Sequence, residues 1–81
     1  MLVQREQRGQ YLIEASAFHL PSGGKWQPRL TMTRLPDGRA PSKSQAFPGL
    51  SPVFETARAA TRYAADLGRQ LVDESSSRLR V

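Results

Sequence analysis

The chain reads as an α+β domain, a three-stranded antiparallel sheet followed by one long C-terminal helix packed on one face. Three observations predict it. Residues 11–20 and 26–35 alternate with period two, as half-buried strands do. Turn clusters, Pro21-Ser22-Gly23-Gly24 and Pro36-Asp37-Gly38, close each of these runs. From residue 53 the apolar spacing changes to that of one helical face.

Residues 1–8 are polar and charged apart from Met1, Leu2 and Val3, and are expected as a flexible lead-in. The first strand then places Tyr11, Ile13, Ala15 and Ala17 on its core side. The second, from about Trp26 to Leu35, turns Trp26, Pro28, Leu30 and Met32 inward and leaves Gln27, Arg29, Thr31 and Thr33 outside. Pro28 lacks a backbone donor, so its N–H side should face an edge or an irregularity. A third, short edge strand is expected between about Arg39 and Phe47.

Val53, Ala57, Ala60, Ala64, Leu67 and Leu71 form the helical stripe, and Thr56 is the preferred N-cap, giving a helix over about 57–74. Ser51 with Pro52 is the competing start. Arg62–Asp66 and Arg69–Asp73 are i,i+4 pairs that suit the exposed side. Gly68 costs about 1 kcal/mol in a helix interior, and close approach to the sheet, under Trp26 and Tyr11, is the expected return. The single domain therefore spans 9–74, with 75–81 as a flexible tail.

Eighty-one residues allow one domain of modest stability. There is no Cys and one His, so disulfides, thiolate metal sites and cysteine nucleophiles are excluded. No apolar run suits a signal peptide or a membrane span, and a soluble, cytoplasmic protein with no membrane partner is expected. Ten Arg against two Lys fits a GC-rich genome and also suits bidentate phosphate recognition.

The segment Arg8-Gly9-Gln10-Tyr11-Leu12-Ile13, then Leu20 to Gly24 with Trp26, then Phe54-Glu55-Thr56, and Leu67-Gly68-Arg69-Gln70-Leu71-Val72-Asp73 form a pattern. It resembles a group of small uncharacterised proteobacterial β-β-β-α proteins, with a Gly-x-Trp second strand and a helix that closes Gly-Arg-x-x-Ile-Asp. The resemblance covers about residues 8–74 and implies the fold. It implies no activity and transfers no functional residues. The Pro-rich approach at 48–52 departs from the pattern.

Nothing in the residues reads as catalytic, and no cofactor or metal is expected. His19 reads as a surface or turn residue, since a general base needs positioned partners. Ser22-Gly23-Gly24-Lys25 lies between two strands, whereas a phosphate loop needs a strand and a helix. The net charge of +5 is uneven: residues 1–43 hold seven basic residues against three acids, and 44–81 five against four. The expected function is a non-enzymatic binding or accessory module, whose protein interface or weak homodimer contact is Leu12 and Phe18 on the uncovered sheet face. The alternative is a nucleic-acid-binding module using Arg29, Thr31, Thr33, Arg34 and Arg39, with Arg5 and Arg8 as a trailing arm.

Overall fold

In the computed structural model, residues 3–36, 38, 41–47, 50, 52–74 and 77–80 are described. Among these residues four strands and one helix follow in order: β1 (Val3–Arg8), β2 (Tyr11–His19), β3 (Trp26–Arg34), β4 (Lys43–Phe47) and α1 (Ala57–Asp73). The architecture is α+β, with an antiparallel sheet and one C-terminal helix as expected. The sheet, however, has four strands in the order β1-β2-β3-β4 rather than three.

The added strand is β1, which occupies most of the segment expected as a lead-in. It pairs with β2 from Val3–Ser16 to Arg8–Tyr11, through a two-residue turn in which Gly9 takes a φ of 61°. Such a turn needs positive φ, and glycine adopts it without strain. Little apolar burial supports β1. Its backbone ladder and two ion pairs to α1 hold it instead.

β2 and β3 pair along their whole length, from Tyr11–Arg34 to His19–Trp26. Strand pleating sends Ile13, Ala15 and Ala17 of β2 and Pro28, Leu30 and Met32 of β3 to the same face, where all are buried. Trp26 exchanges both backbone bonds with Phe54, at 2.7 and 2.8 Å. Pro28, two residues on, points the same way, past the last β3–β4 pair, Leu30–Phe47. Its missing N–H therefore lies beyond the described part of the β3–β4 ladder. The edge strand β4 runs over Lys43–Phe47; of the expected 39–47, Pro41 and Ser42 precede the strand and residues 39–40 lie outside the described residues.

Helix α1 starts where Thr56 caps it: the Thr56 hydroxyl accepts from the Ala59 N–H at 3.1 Å. Val53, expected on the helical stripe, precedes the helix and is exposed. The buried side of α1 is Ala60, Thr61, Ala64, Ala65, Gly68 and Leu71, with Leu67 half-buried beside them. A Cβ on Gly68 would stand 2.6 Å from Ile13 Cγ2, so the close approach expected of this glycine is present. Its neighbours are Ile13, Leu30 and Met32, not Trp26 and Tyr11.

The expected helix-surface pairs Arg62–Asp66 and Arg69–Asp73 are not formed. Asp66 bonds Arg69 at 2.5 Å, and Asp73 bonds Arg8 at 2.7 Å. Part of the expected tail also packs back. Gln45 donates to the Arg78 carbonyl and accepts from the Arg80 N–H, and Leu79 lies against the core.

Candidate functional site

Helix α1 covers one face of the sheet and leaves the other open. Strand parity decides which candidate residues meet there. Arg29, Thr31 and Thr33 stand in a row on the open face of β3, opposite Ser16, Glu14 and Leu12 of β2. Arg34 has the opposite parity and is exposed at the end of β3 on the helix side. Arg39 lies outside the described residues. The five candidate nucleic-acid contacts therefore yield three on one surface.

Leu12 and Phe18 both point to the open face, but six residues of one strand separate them by about 20 Å. Glu14 and Ser16 stand between, and Leu12 is half-buried. They do not form one patch. Phe18 instead has a different apolar neighbour. Val3 pairs with Ser16, so Phe18 is its diagonal neighbour across β1 and β2. Each is 41% exposed. The Arg29 guanidinium lies 4.2 Å from the Phe18 ring centroid, a cation–π contact. Val3, Phe18 and Arg29 thus make an apolar corner with a cation on it. The sequence signal for Val3 is slight, because it is the one apolar residue of the segment 3–8.

The rest of the open face is polar and nearly balanced in charge. Arg5 Nε bonds Glu14 at 3.0 Å, and Thr33 and Ser44 share a hydroxyl hydrogen bond of 2.9 Å. A shallow groove of about 240 Å³, lined by Arg29, Leu30, Thr31, Ala46 and Phe47, runs beside β4.

The helix side is richer in charge. Arg69 Nε donates to both Glu6 oxygens at 2.9 and 3.0 Å, and Arg8 grips Asp73 with two bonds of 2.7 and 2.8 Å. The Arg69 hydrogen bond holds the Glu6 carboxyl below its usual range against the pull of desolvation. The Arg8 hydrogen bond does the same for Asp73. Each arginine is raised in turn by its carboxylate. These pairs read as clamps that fasten β1 to α1.

Two grooves flank the first half of α1. One, of about 410 Å³, lies between β1 and α1 and is lined by Gln4, Arg58, Thr61, Arg62, Asp66 and Arg69. The other, of about 380 Å³, shares Arg58, Arg62 and Asp66 and adds Thr56, Ala59 and Tyr63. In the sequence Arg58 belongs to no pattern, and Arg62 suits a surface ion pair with Asp66. The signal available was the absence of any acid in the first helical turn.

His19 is exposed and stacks on Trp26, with centroids 4.4 Å apart and planes 15° from parallel. Lys25, at the end of the Gly23-Gly24 turn, is paired to Glu55. Among the described residues no group of three or more His, Cys, Asp or Glu side chains is placed to hold a metal ion. Among the described residues no helix is long and apolar enough to cross a membrane. Comparison with protein-family models, with curated proteins and with solved structures gives no match.

Proposed function

We propose that the chain is a non-enzymatic binding or accessory module that docks through the open face of its sheet. The observation that carries this reading is the corner formed by Val3, Phe18 and Arg29. An apolar ring at the surface gains by being covered, and a guanidinium beside it selects a carboxylate on the partner. The fitting occupant is a protein surface with an apolar side chain next to an acid. A second copy of the chain offers Phe18 on this same face, with Glu14 about 13 Å along β2 and bound to Arg5.

The expected outcome is weak self-association in a sedimentation concentration series, lost on Phe18→Asp while the circular dichroism of the fold is kept. A constant monomer mass up to about millimolar protein would remove the homodimer reading.

Arg29, Thr31 and Thr33 in one row favour a second reading, contact with a nucleic-acid backbone or groove. Charge weighs against it. On the described part of this face the cations are Arg5 and Arg29, and Glu14 occupies Arg5. If nucleic acid binds here, Arg29→Ala should lower the log–log salt slope on duplex DNA by about 0.9. No chemical-shift change at Arg29, Thr31 and Thr33 on adding DNA at low salt would end it.

A further inference from the structure

We propose that the groove between β1 and the first half of α1 is a binding site for a phosphate monoester group. This is separate from the open sheet face and does not depend on it.

The first observation is a charge placement that works against the helix. Peptide dipoles leave the N-terminal end of α1 partly positive, so acids belong in its first turn and cations do not. Yet that turn holds no acid, and Arg58 stands in it, with Arg62 one turn on. The other end is reversed as well, with Asp73 in the last turn and no basic residue there. At that end the cause is present, because Asp73 is held by Arg8 of β1. At the N-terminal end no described residue offsets the two arginines. The acids nearest in the groove are already engaged: Asp66 by Arg69, and Glu6 behind it by the same guanidinium.

The second observation is independent of charge. Thr61 lines the same groove between Arg58 and Arg62, is 2% exposed, and its hydroxyl has no hydrogen-bond partner. A buried hydroxyl left unpaired costs free energy, and such groups in folded proteins are nearly always satisfied. The oxygen is closed off from solvent as it stands, so a polar occupant of the groove would satisfy it after a turn of the Thr61 side chain about χ1. Gln4, across the groove on β1, adds a side-chain amide.

These donors suit a compact anion. Residues 58 and 62 are neighbours on the helix surface, about 6 Å apart at Cβ. Two guanidinium forks at that spacing can embrace one tetrahedral dianion. Asp66 stands at the far end of the groove and breaks the basic run, which disfavours a long polyanion lying along the helix. Beyond the Arg58–Arg62 ridge the second groove offers Ala59 and the Tyr63 ring, a wall for whatever the phosphate carries.

The test is an NMR titration of the full chain with inorganic phosphate, with adenosine monophosphate and with adenosine. The expected result is saturable shifts at Gln4, Arg58, Thr61 and Arg62 with both phosphates, at a Kd of about 0.1–1 mM. Tighter binding of the nucleotide than of inorganic phosphate would assign the ligand as a monoester with a ring on Tyr63. Equal binding would assign the phosphoryl group alone, and either supports the site. Arg62→Gln should weaken binding about tenfold. Thr61→Val keeps the shape of the side chain and removes the unpaired hydroxyl. It should leave the apo thermal midpoint unchanged or higher while weakening phosphate binding several-fold. No shifts at about 10 mM phosphate or nucleotide would overturn the proposal. So would unchanged affinity in Arg62→Gln, or binding of duplex DNA at these residues without binding of either small phosphate.

Discussion

The two faces of the sheet are made by the same strands and have opposite characters. On the face under α1, Ile13, Ala15, Leu30 and Met32 are at most 2% exposed. One residue along, on the other face, stand Glu14, Ser16, Arg29, Thr31 and Thr33, and at the corner the exposed Phe18. The difference teaches how the chain divides its tasks. Stability is concentrated where small helix residues let α1 sit close on branched and sulfur-bearing side chains. The open face carries little of that load and is free to present Val3, Phe18 and Arg29 to a partner.

Adjacent residues on β3 expose the contrast most sharply. Leu30→Ala removes a fully buried side chain beneath Gly68 and should cost about 2–4 kcal/mol. In a domain this small that is a large share of the total. Thr31→Ala, on the opposite face, should change stability by no more than about 0.5 kcal/mol. Urea melts of the two variants check this, and similar midpoints would break the comparison.

Gly68 tests the closeness of the covered face. Alanine gains about 1 kcal/mol of helix propensity there. Its Cβ, however, would meet Ile13 Cγ2 at 2.6 Å, a branch methyl held by the strand and unable to swing away cheaply. Overpacking of this kind costs about 1–3 kcal/mol, so Gly68→Ala should be destabilising on balance, by up to about 2 kcal/mol. Pairing it with Ile13→Val, which shortens the clashing residue's longer branch, should not restore stability, because the Cγ2 methyl remains. Pairing it with Ile13→Ala should relieve the clash and show coupling in a double-mutant cycle.

Much of this frame was legible. The period-two runs of β2 and β3, the Thr56 cap and the helical stripe are local signals, and each lies where the pattern put it except Val53, which precedes the helix. β1 was not legible because Val3-Gln4-Arg5-Glu6-Gln7-Arg8 has one apolar residue, and its anchors, Arg69 and Asp73, are more than sixty positions away. The same long-range pairing removes the expected Arg69–Asp73 pair, since Glu6 and Arg8 reach Arg69 and Asp73 across the layers, whereas Asp66 bonds Arg69 on its own helix instead of Arg62. Leu12 and Phe18 were rightly put on one face, but spacing along a strand kept them apart, and the true neighbour Val3 sat in the unread strand. Charge marks Arg34 as a candidate contact, but its parity with Met32 turns it to the helix side. The groove at Arg58, Thr61 and Arg62 needed β1 as its second wall, so it could not be read before that strand was.

The ion pairs of β1 give the smallest effects and the finest comparison, because alternate residues of one strand serve the two faces. Glu6 meets Arg69 on the helix side, where both side chains are about a third exposed or less. Arg5 meets Glu14 on the open side, with the arginine 66% exposed. Glu6→Gln should cost about 1 kcal/mol or less, and Glu14→Gln about half of that or nothing measurable. The pH dependence sets the two apart further. Glu6 and Asp73 are both held below their ordinary values of 4.5 and 3.8 by hydrogen bonds from Arg69 and Arg8. The folded chain therefore binds fewer protons than the unfolded chain in mild acid. The stability from these pairs is present above the ordinary carboxylate range and is lost as the pH falls through the depressed values. The first consequence should be local: amide protection in β1 should fall with acid before that of β2 and β3, because little apolar burial holds β1 in place. In Glu6→Gln that acid-dependent loss should shrink to the part contributed by Asp73. Hydrogen exchange across a pH series reads it directly, and equal protection of β1 and β2 down to the acid transition would show that the ladder alone, not the clamps, holds the strand.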